Sequence, residues 1–361
     1  MRLSAFFYKL ITGLIIEISI VILGLFLSIS YGSKSIPFSD VTGYFAVILV
    51  LAVFMMTLGN TNYTLKEVFD CLLSDKAKGA AYTIKTLRLP RLIVGGFAGF
   101  AFGISGFTFQ NLLRNPLASP DIIGVTAGSS AAAVFCILIL GISGALASFF
   151  AVAAGLLITT LIFVLSGKGN AFSSRMILIG IGMQAVLNAL ISWMLLVGSE
   201  YDVGTALRWL RGSLNLVQMS DVPVIVVVTL VCSTLLLICN RNLRMMQLGD
   251  EYATTLGVPL NAVRACCMVC ALVLSATATA ATGPIASVAF LSGPIAQKCT
   301  RNGKNAMLVA GLVGTILVFA SELVSKNVFE TKYPVGVITG LLGAPYLLLL
   351  LLNLNRKGEK I

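Results

Sequence analysis

The sequence predicts an all-α integral membrane protein, and three observations carry that prediction. Hydrophobic residues fill 58% of the 361 positions and charged residues only 11%, against roughly a quarter in soluble domains. The mean hydropathy is +0.98, more apolar surface than soluble cores of this size can bury. Apolar runs of about 20 residues, enough to cross a bilayer, recur along the chain. Helices are expected because a backbone in lipid must satisfy its own hydrogen bonds, and the alternation of a membrane barrel strand is absent.

In chain order the candidate spans fall at 10–30, 41–58, 91–110, 121–141, 143–165, 176–198, 222–239, 265–283, 284–298, 306–324 and 335–353. The first has Arg2 and Lys9 ahead of it, as a signal peptide would. Its apolar run is long and no A-x-A site follows, so a retained span is preferred. The run at 284–298 is short and bracketed by Gly-Pro pairs, as a short span or a re-entrant segment would be. This divides the chain into an N-terminal apolar extension (1–40), a transmembrane domain (41–353) and a tail (354–361). Within the domain, 240–264 is the longest polar stretch of one face.

The net charge of +11 is scattered singly between apolar runs, which fits loops bordering spans better than a nucleic-acid surface. Arg114, Lys168, Arg175, Arg241, Arg244, Arg264, Lys298, Arg301, Lys304, Arg356, Lys357 and Lys360 fall on one set of loops, placed in the cytoplasm. Lys66, Lys85, Arg88, Arg91, Arg208, Arg211, Lys326 and Lys332 are among those on the other set, together with several acids.

The chain contains no histidine, which removes Ser-His-Asp catalysis and His-ligated metal. Nothing matches GxxxxGK[ST], so ATP hydrolysis is not expected of this chain. The cysteines show no disulfide framework; the Cys267/Cys270 pair lies with Cys266 inside an apolar run, and all eight read as packing residues. Gly95, Gly99 and Gly103 recur every fourth residue, and Gly106 and Ala98 extend a small face suited to close helix packing within one subunit. Glu17 and Glu322 fall inside apolar runs. Glu322 reads as salt-bridged or interfacial rather than proton-coupling.

Six segments occur in a fixed order. They are Arg88-Leu89-Pro90-Arg91; Gly106–Gln110 leading into Arg114-Asn115-Pro116-Leu117-Ala118-Ser119-Pro120-Asp121-Ile122-Ile123-Gly124; Ile177–Gly182; Leu248-Gly249-Asp250-Glu251 with Leu256-Gly257-Val258; Thr282-Gly283-Pro284-Ile285; and Tyr333-Pro334-Val335-Gly336-Val337-Ile338-Thr339-Gly340 with Gly343. Together they resemble the permease subunits of bacterial iron-siderophore, haem and vitamin B12 ABC importers, the FecCD family. The match runs over about 43–353 and is nearest the ferric-siderophore branch. It implies about ten transmembrane helices of the vitamin B12/siderophore permease type, with 10–30 as an extra N-terminal segment.

The resemblance also implies roles. Leu248, Gly249, Asp250, Glu251, Leu256 and Gly257 would couple to an ATPase on the cytoplasmic face. There, acids open a short helix at the positive end of its dipole and Gly257-Val258-Pro259 ends it. Arg88, Arg91 and Lys326 would dock an extracytoplasmic substrate-binding protein. Lysine stands at 326 where the family usually has arginine, a less directional partner for carboxylates. Asn115, Leu117, Ser173 and Ser174 would narrow a cytoplasmic gate, although such residues also cap turns for purely structural reasons. Gly293-Pro294 stands where the family often has Pro-His.

The implied partners are a sister permease (a heterodimer favoured over a homodimer), two ATP-binding subunits, a binding protein and a ferric siderophore. No nucleic acid, resident metal or cofactor is expected on this chain, ATP and Mg being held by the ATPase. Haem or cobalamin import is the alternative. An ion-coupled secondary transporter is less favoured, since it would be expected to carry ionisable groups near the midplane.

Overall fold

The computed structural model describes residues 39–73, 78–121, 123–142, 144–167, 172–300 and 305–356. The segment expected at 10–30 and its Glu17 lie outside the described residues. Among the described residues all regular structure is helical. The helices are α1 (Ser39–Thr57), α2 (Leu65–Leu73), α3 (Lys78–Ala81), α4 (Leu89–Leu112), α5 (Val125–Leu138), α6 (Ala145–Ser166), α7 (Phe172–Val197) and α8 (Glu200–Leu210). They continue with α9 (Val222–Met246), α10 (Asp250–Thr255), α11 (Leu260–Thr282), α12 (Val288–Cys299), α13 (Ala306–Asn327) and α14 (Val335–Arg356). Among the described residues six helices are long and apolar enough to cross a membrane, and Val41–Thr57, Val125–Leu138 and Val335–Leu348 are shorter apolar ones.

The spans sort into inner and outer helices. The segment Tyr82–Leu112, α11 and α13 bury most of their apolar surface inside the protein, whereas α6, α7 and α9 leave most of theirs exposed. Helix α4 is the hub, packed between α11, α12 and α13. Its small face permits this. A Cβ on Gly99 would lie 2.6 Å from the Gly314 carbonyl oxygen of α13, and one on Gly106 would run into the Ala289 carbonyl of α12. Between them Ser105 Oγ donates to the Ala271 carbonyl of α11 at 2.6 Å. The glycine stripe therefore serves packing within the subunit.

Boundaries differ from expectation for local reasons. The span expected at 91–110 begins earlier, because a π-helical stretch, Tyr82–Arg88, runs directly into α4. Pro90 has no N–H for an ordinary helical bond. The wider turn before it lets Leu89 N–H reach back to the Ile84 carbonyl. The polar stretch 240–264 is mostly helix: α9 runs on to Met246 and α11 starts at Leu260, leaving only a short connection around α10. Asn240, Leu243 and Met246 form a buried stripe with helical spacing, which the neighbouring arginines hid in the sequence. The run 284–298 contributes only the 12-residue α12. At 1.5 Å per residue that reaches about 18 Å, short of a bilayer's hydrocarbon core.

The short helices α2, α3 and α8, on the face opposite α10, are not legible from hydropathy. Helix α2 opens on a capping box: Thr64 N–H donates to Glu67 Oε2 at 2.7 Å, and Glu67 N–H donates to Thr64 Oγ1 at 3.3 Å. On the same face the turns at Gly212 and Gly283 meet the start of α14, with Ser213 N–H donating to Thr282 O at 2.7 Å and Gly336 N–H to Gly212 O at 3.1 Å.

The packing of α4 predicts an asymmetric response to substitution. Gly106→Val forces α4 and α12 apart and should cost about 1–3 kcal/mol, typical of overpacking, whereas Gly182→Ala enters open space and should be neutral. Thermal unfolding of the purified protein in detergent checks this. Equal midpoints for the two variants would contradict the assigned packing.

Candidate functional site: the two polar faces

Helix α10 caps a hairpin between α9 and α11, outside the apolar spans. Gly249 precedes it with φ +121° and Gly257 follows with φ +79°, left-handed positions that turn the chain sharply at both ends. Ala253 and Val258 are buried and anchor the hairpin to the main core. The opposite side is apolar and exposed: Leu248 is 65% exposed, Tyr252 68% and Leu256 58%. Tyr252 and Leu256 are one turn apart, Leu256 N–H donating to Tyr252 O at 3.0 Å, and form one ridge, while Leu248 stands just before the Gly249 turn. Glu251 is exposed beside them. Tyr252 was not among the expected coupling residues; its spacing of four from Leu256 across the short helix is the sequence signal that marks it.

Asp250 points into its own subunit. Its Oδ1 accepts from Arg114 Nη2 at 2.5 Å and its Oδ2 from Arg264 Nη2 at 2.6 Å. Partial burial works to raise the carboxyl's pKa. The hydrogen bond and charge of Arg264, joined by those of Arg114, outweigh it and hold the group below the ordinary carboxylate range. Arg114, Arg264 and Gln247 were not expected as site residues, since sequence order does not show that the end of α4 reaches the hairpin.

The expected gate residues divide between two places. Asn115 and Leu117 form the turn after α4, where Asn115 N–H donates to Gln110 O at 3.0 Å and Leu117 N–H to Asn115 Oδ1 at 2.9 Å. This side-chain turn also fits the structural capping role. Ser174 is exposed in the first turn of α7. Ser173 precedes it in the same helix, and its side chain lies outside the described residues. Gly293, at the position of the family's Pro-His, makes room for Gln110, whose Nε2 donates to Phe290 O at 3.0 Å.

On the other face the fold gathers Arg88, Arg91 and Lys326, which lie within electrostatic reach of one another. Only Arg88 and Arg91 are near in sequence. Arg88 is 8% exposed. Its Nη1 donates to Met56 O at 2.6 Å, its Nη2 to Thr61 O at 2.5 Å, and the guanidinium lies 5.0 Å from the centre of the Tyr63 ring. It thus pins the loop between α1 and α2. Lys326 pairs with Glu322 one turn earlier on α13, so Glu322 has the salt-bridged environment expected of it. Arg91 is half-buried. Nearby, Lys332 Nζ donates to Asn60 Oδ1 at 2.8 Å, tying the loop before α14 to the pinned loop.

Helix α7 turns Leu187, Ile191 and Met194 into the core and leaves Asn188, Ser192 and Trp193 outward, with Gln184 half-buried. The eight cysteines are free thiols, and five of them, Cys232, Cys239, Cys266, Cys267 and Cys270, lie on α9 and α11, which pack together. Among the described residues no cluster of His, Cys, Asp and Glu could hold a metal ion.

The anchoring role of Arg88 yields a test. Arg88→Met should speed amide exchange of residues 58–64, since losing hydrogen bonds from a charged donor costs about 1.5–3 kcal/mol. Arg88→Lys should do so nearly as strongly, because one ammonium cannot reproduce the planar fork. Unchanged exchange in both variants would show that the loop does not depend on this contact.

Comparison with known proteins agrees with this architecture. The FecCD transport family matches residues 46–353. The chain is 32% identical over 313 residues to the ferric enterobactin transport system permease protein FepG of Escherichia coli, covering 86% of this chain and 94% of that one. It is 32% identical over 317 residues to the achromobactin transport system permease protein CbrC of Dickeya dadantii, covering 85% and 90%. The cobalamin import system permease protein BtuC of Halobacterium salinarum is 31% identical over 279 residues, with coverage of 75% and 74%. Among solved structures, an inward-facing transporter described as of the metal-chelate ABC type shares the fold with a TM-score of 0.77 at 24% identity, covering 86% of this chain and 98% of that one. With six long apolar spans among its described residues and a family match over most of its length, the chain belongs to the FecCD transport family and is a multi-pass ABC importer permease of the plasma membrane.

Proposed function

We propose that this permease carries ferric siderophores into the cytoplasm, driven by ATP hydrolysis on partner subunits. The observation that carries the coupling half of this reading is the exposed Tyr252–Leu256 ridge, with Leu248 exposed just before it in the chain, on a hairpin anchored by Ala253 and Val258. An apolar ridge outside the apolar spans fits a groove on another protein. Glu251, the exposed acid at the start of α10, adds charge at its rim. On this reading two ATP-binding subunits hold ATP and Mg, each permease hairpin seats in one of them, and the hairpin face is cytoplasmic.

The opposite face would receive the substrate-binding protein. Arg91 and Lys326 supply positive charge there, and Arg88 shapes the loop beside them. The turn at Asn115 and Leu117, with Ser173 and Ser174, would close the inner end of the pathway. The outward polar side chains of α7 fit a helix facing that pathway or a second permease, with a heterodimer favoured. Ferric siderophore is the substrate class because FepG and CbrC are named for ferric enterobactin and achromobactin. Cobalamin is the second reading, carried by the similarity to BtuC.

The ridge can be tested directly. Tyr252→Asp or Leu256→Asp should weaken co-purification of the ATPase by roughly thirtyfold, equivalent to about 2 kcal/mol at an interface hot spot, while the permease stays folded. Retained ATPase binding in both variants would remove the hairpin from the interface.

A further inference from the structure

The hairpin and the gate turn are held together by side chains from both. Arg114 bridges them: its Nη2 donates to Asp250 Oδ1 at 2.5 Å and to Met246 O at 2.6 Å. Gln247, also on the hairpin, donates from Nε2 to Oδ1 of Asn111 on α4. Arg264 at the start of α11 takes the second oxygen of Asp250. Arg114 has φ +49°, a left-handed conformation that a bulky side chain adopts only where its surroundings impose it. The next residues are the gate turn itself, Asn115-Pro116-Leu117.

We propose that Asp250 and Arg114 are a positioning pair that transmits movement of the hairpin to the 114–118 turn, with Arg264 holding Asp250 in line. This rests on the coupling reading above and deepens it, because Asp250 then acts within the permease and not on the ATPase surface. A magnitude supports this division of labour. The three side chains are 37–45% exposed, and exposed ion pairs add little to folding stability. Two arginines on separate oxygens of one carboxylate nevertheless fix its direction. The latch thus sets geometry, and its variants should fold.

The test uses the whole complex of permease, ATPase and binding protein in nanodiscs, comparing amide hydrogen exchange without nucleotide and after trapping with ATP and vanadate. In the unaltered complex trapping should change exchange both in 248–256 and in 113–118. In Arg114→Gln the ATPase should still co-purify and the hairpin should still respond, while the response of 113–118 falls about fivefold or more, the scale of an ordinary coupling energy. Asp250→Asn should also lose the 113–118 response, and the double variant should be no worse than the worse single one. The latch is overturned if 113–118 responds normally in the variants, if the single losses multiply in the double variant, or if Asp250→Asn releases the ATPase. In the unaltered complex, a hairpin that responds while 113–118 does not overturns the latch alone. A hairpin that does not respond overturns the coupling reading and the latch with it.

Discussion

The close approach of α4 to its neighbours is the contact on which the rest of the structure depends. Where backbones meet with no Cβ between them, α4 can touch α11, α12 and α13 at once. In lipid, water supplies no net hydrophobic drive between apolar helices, so association relies on van der Waals contact and hydrogen bonds across the interface. The glycine face provides the first, and Ser105 bonding to Ala271 O provides the second. Because α4 is held along its length, its two ends are fixed relative to each other, and each carries a polar cluster.

The two clusters share one device. At one end Arg88 reaches into backbone carbonyls of the loop between α1 and α2. At the other Arg114 reaches across to the hairpin. Both are arginines at the margins of the hub helix, and both use planar, multiply donating heads to tie down chain distant in sequence. From Leu92 to Leu113 the helix between them carries no charge. This distribution suits a conduit whose interior binds weakly and whose ends make the specific contacts.

Much was legible from the residues. Hydropathy placed the spans because a lipid-exposed backbone has few alternatives to the helix. Gly249 and Gly257 bracket α10 where the sequence put a short helix. The spacing of Tyr252 and Leu256 marks a ridge once the segment is helical. Other features were hidden by competing signals. Arginines masked the buried stripe Asn240, Leu243 and Met246, so α9 is longer than its apolar run. Thr64 and Glu67 spelled a capping box that hydropathy does not read.

Composition, apolar run length and ordered motifs by themselves determined that this chain is a helical membrane permease with a short helix between Gly249 and Gly257. These are local properties, since each helix satisfies its own backbone and each motif lies within a few residues. Only the tertiary structure decided which side chains meet. It turned Asp250 toward Arg114, Arg264 toward Asp250, Arg88 toward Met56 and Thr61, and Lys326 toward Glu322. Three of those pairings join separate elements, and a charged side chain's partner across such a gap depends on how the helices pack, which no local pattern encodes.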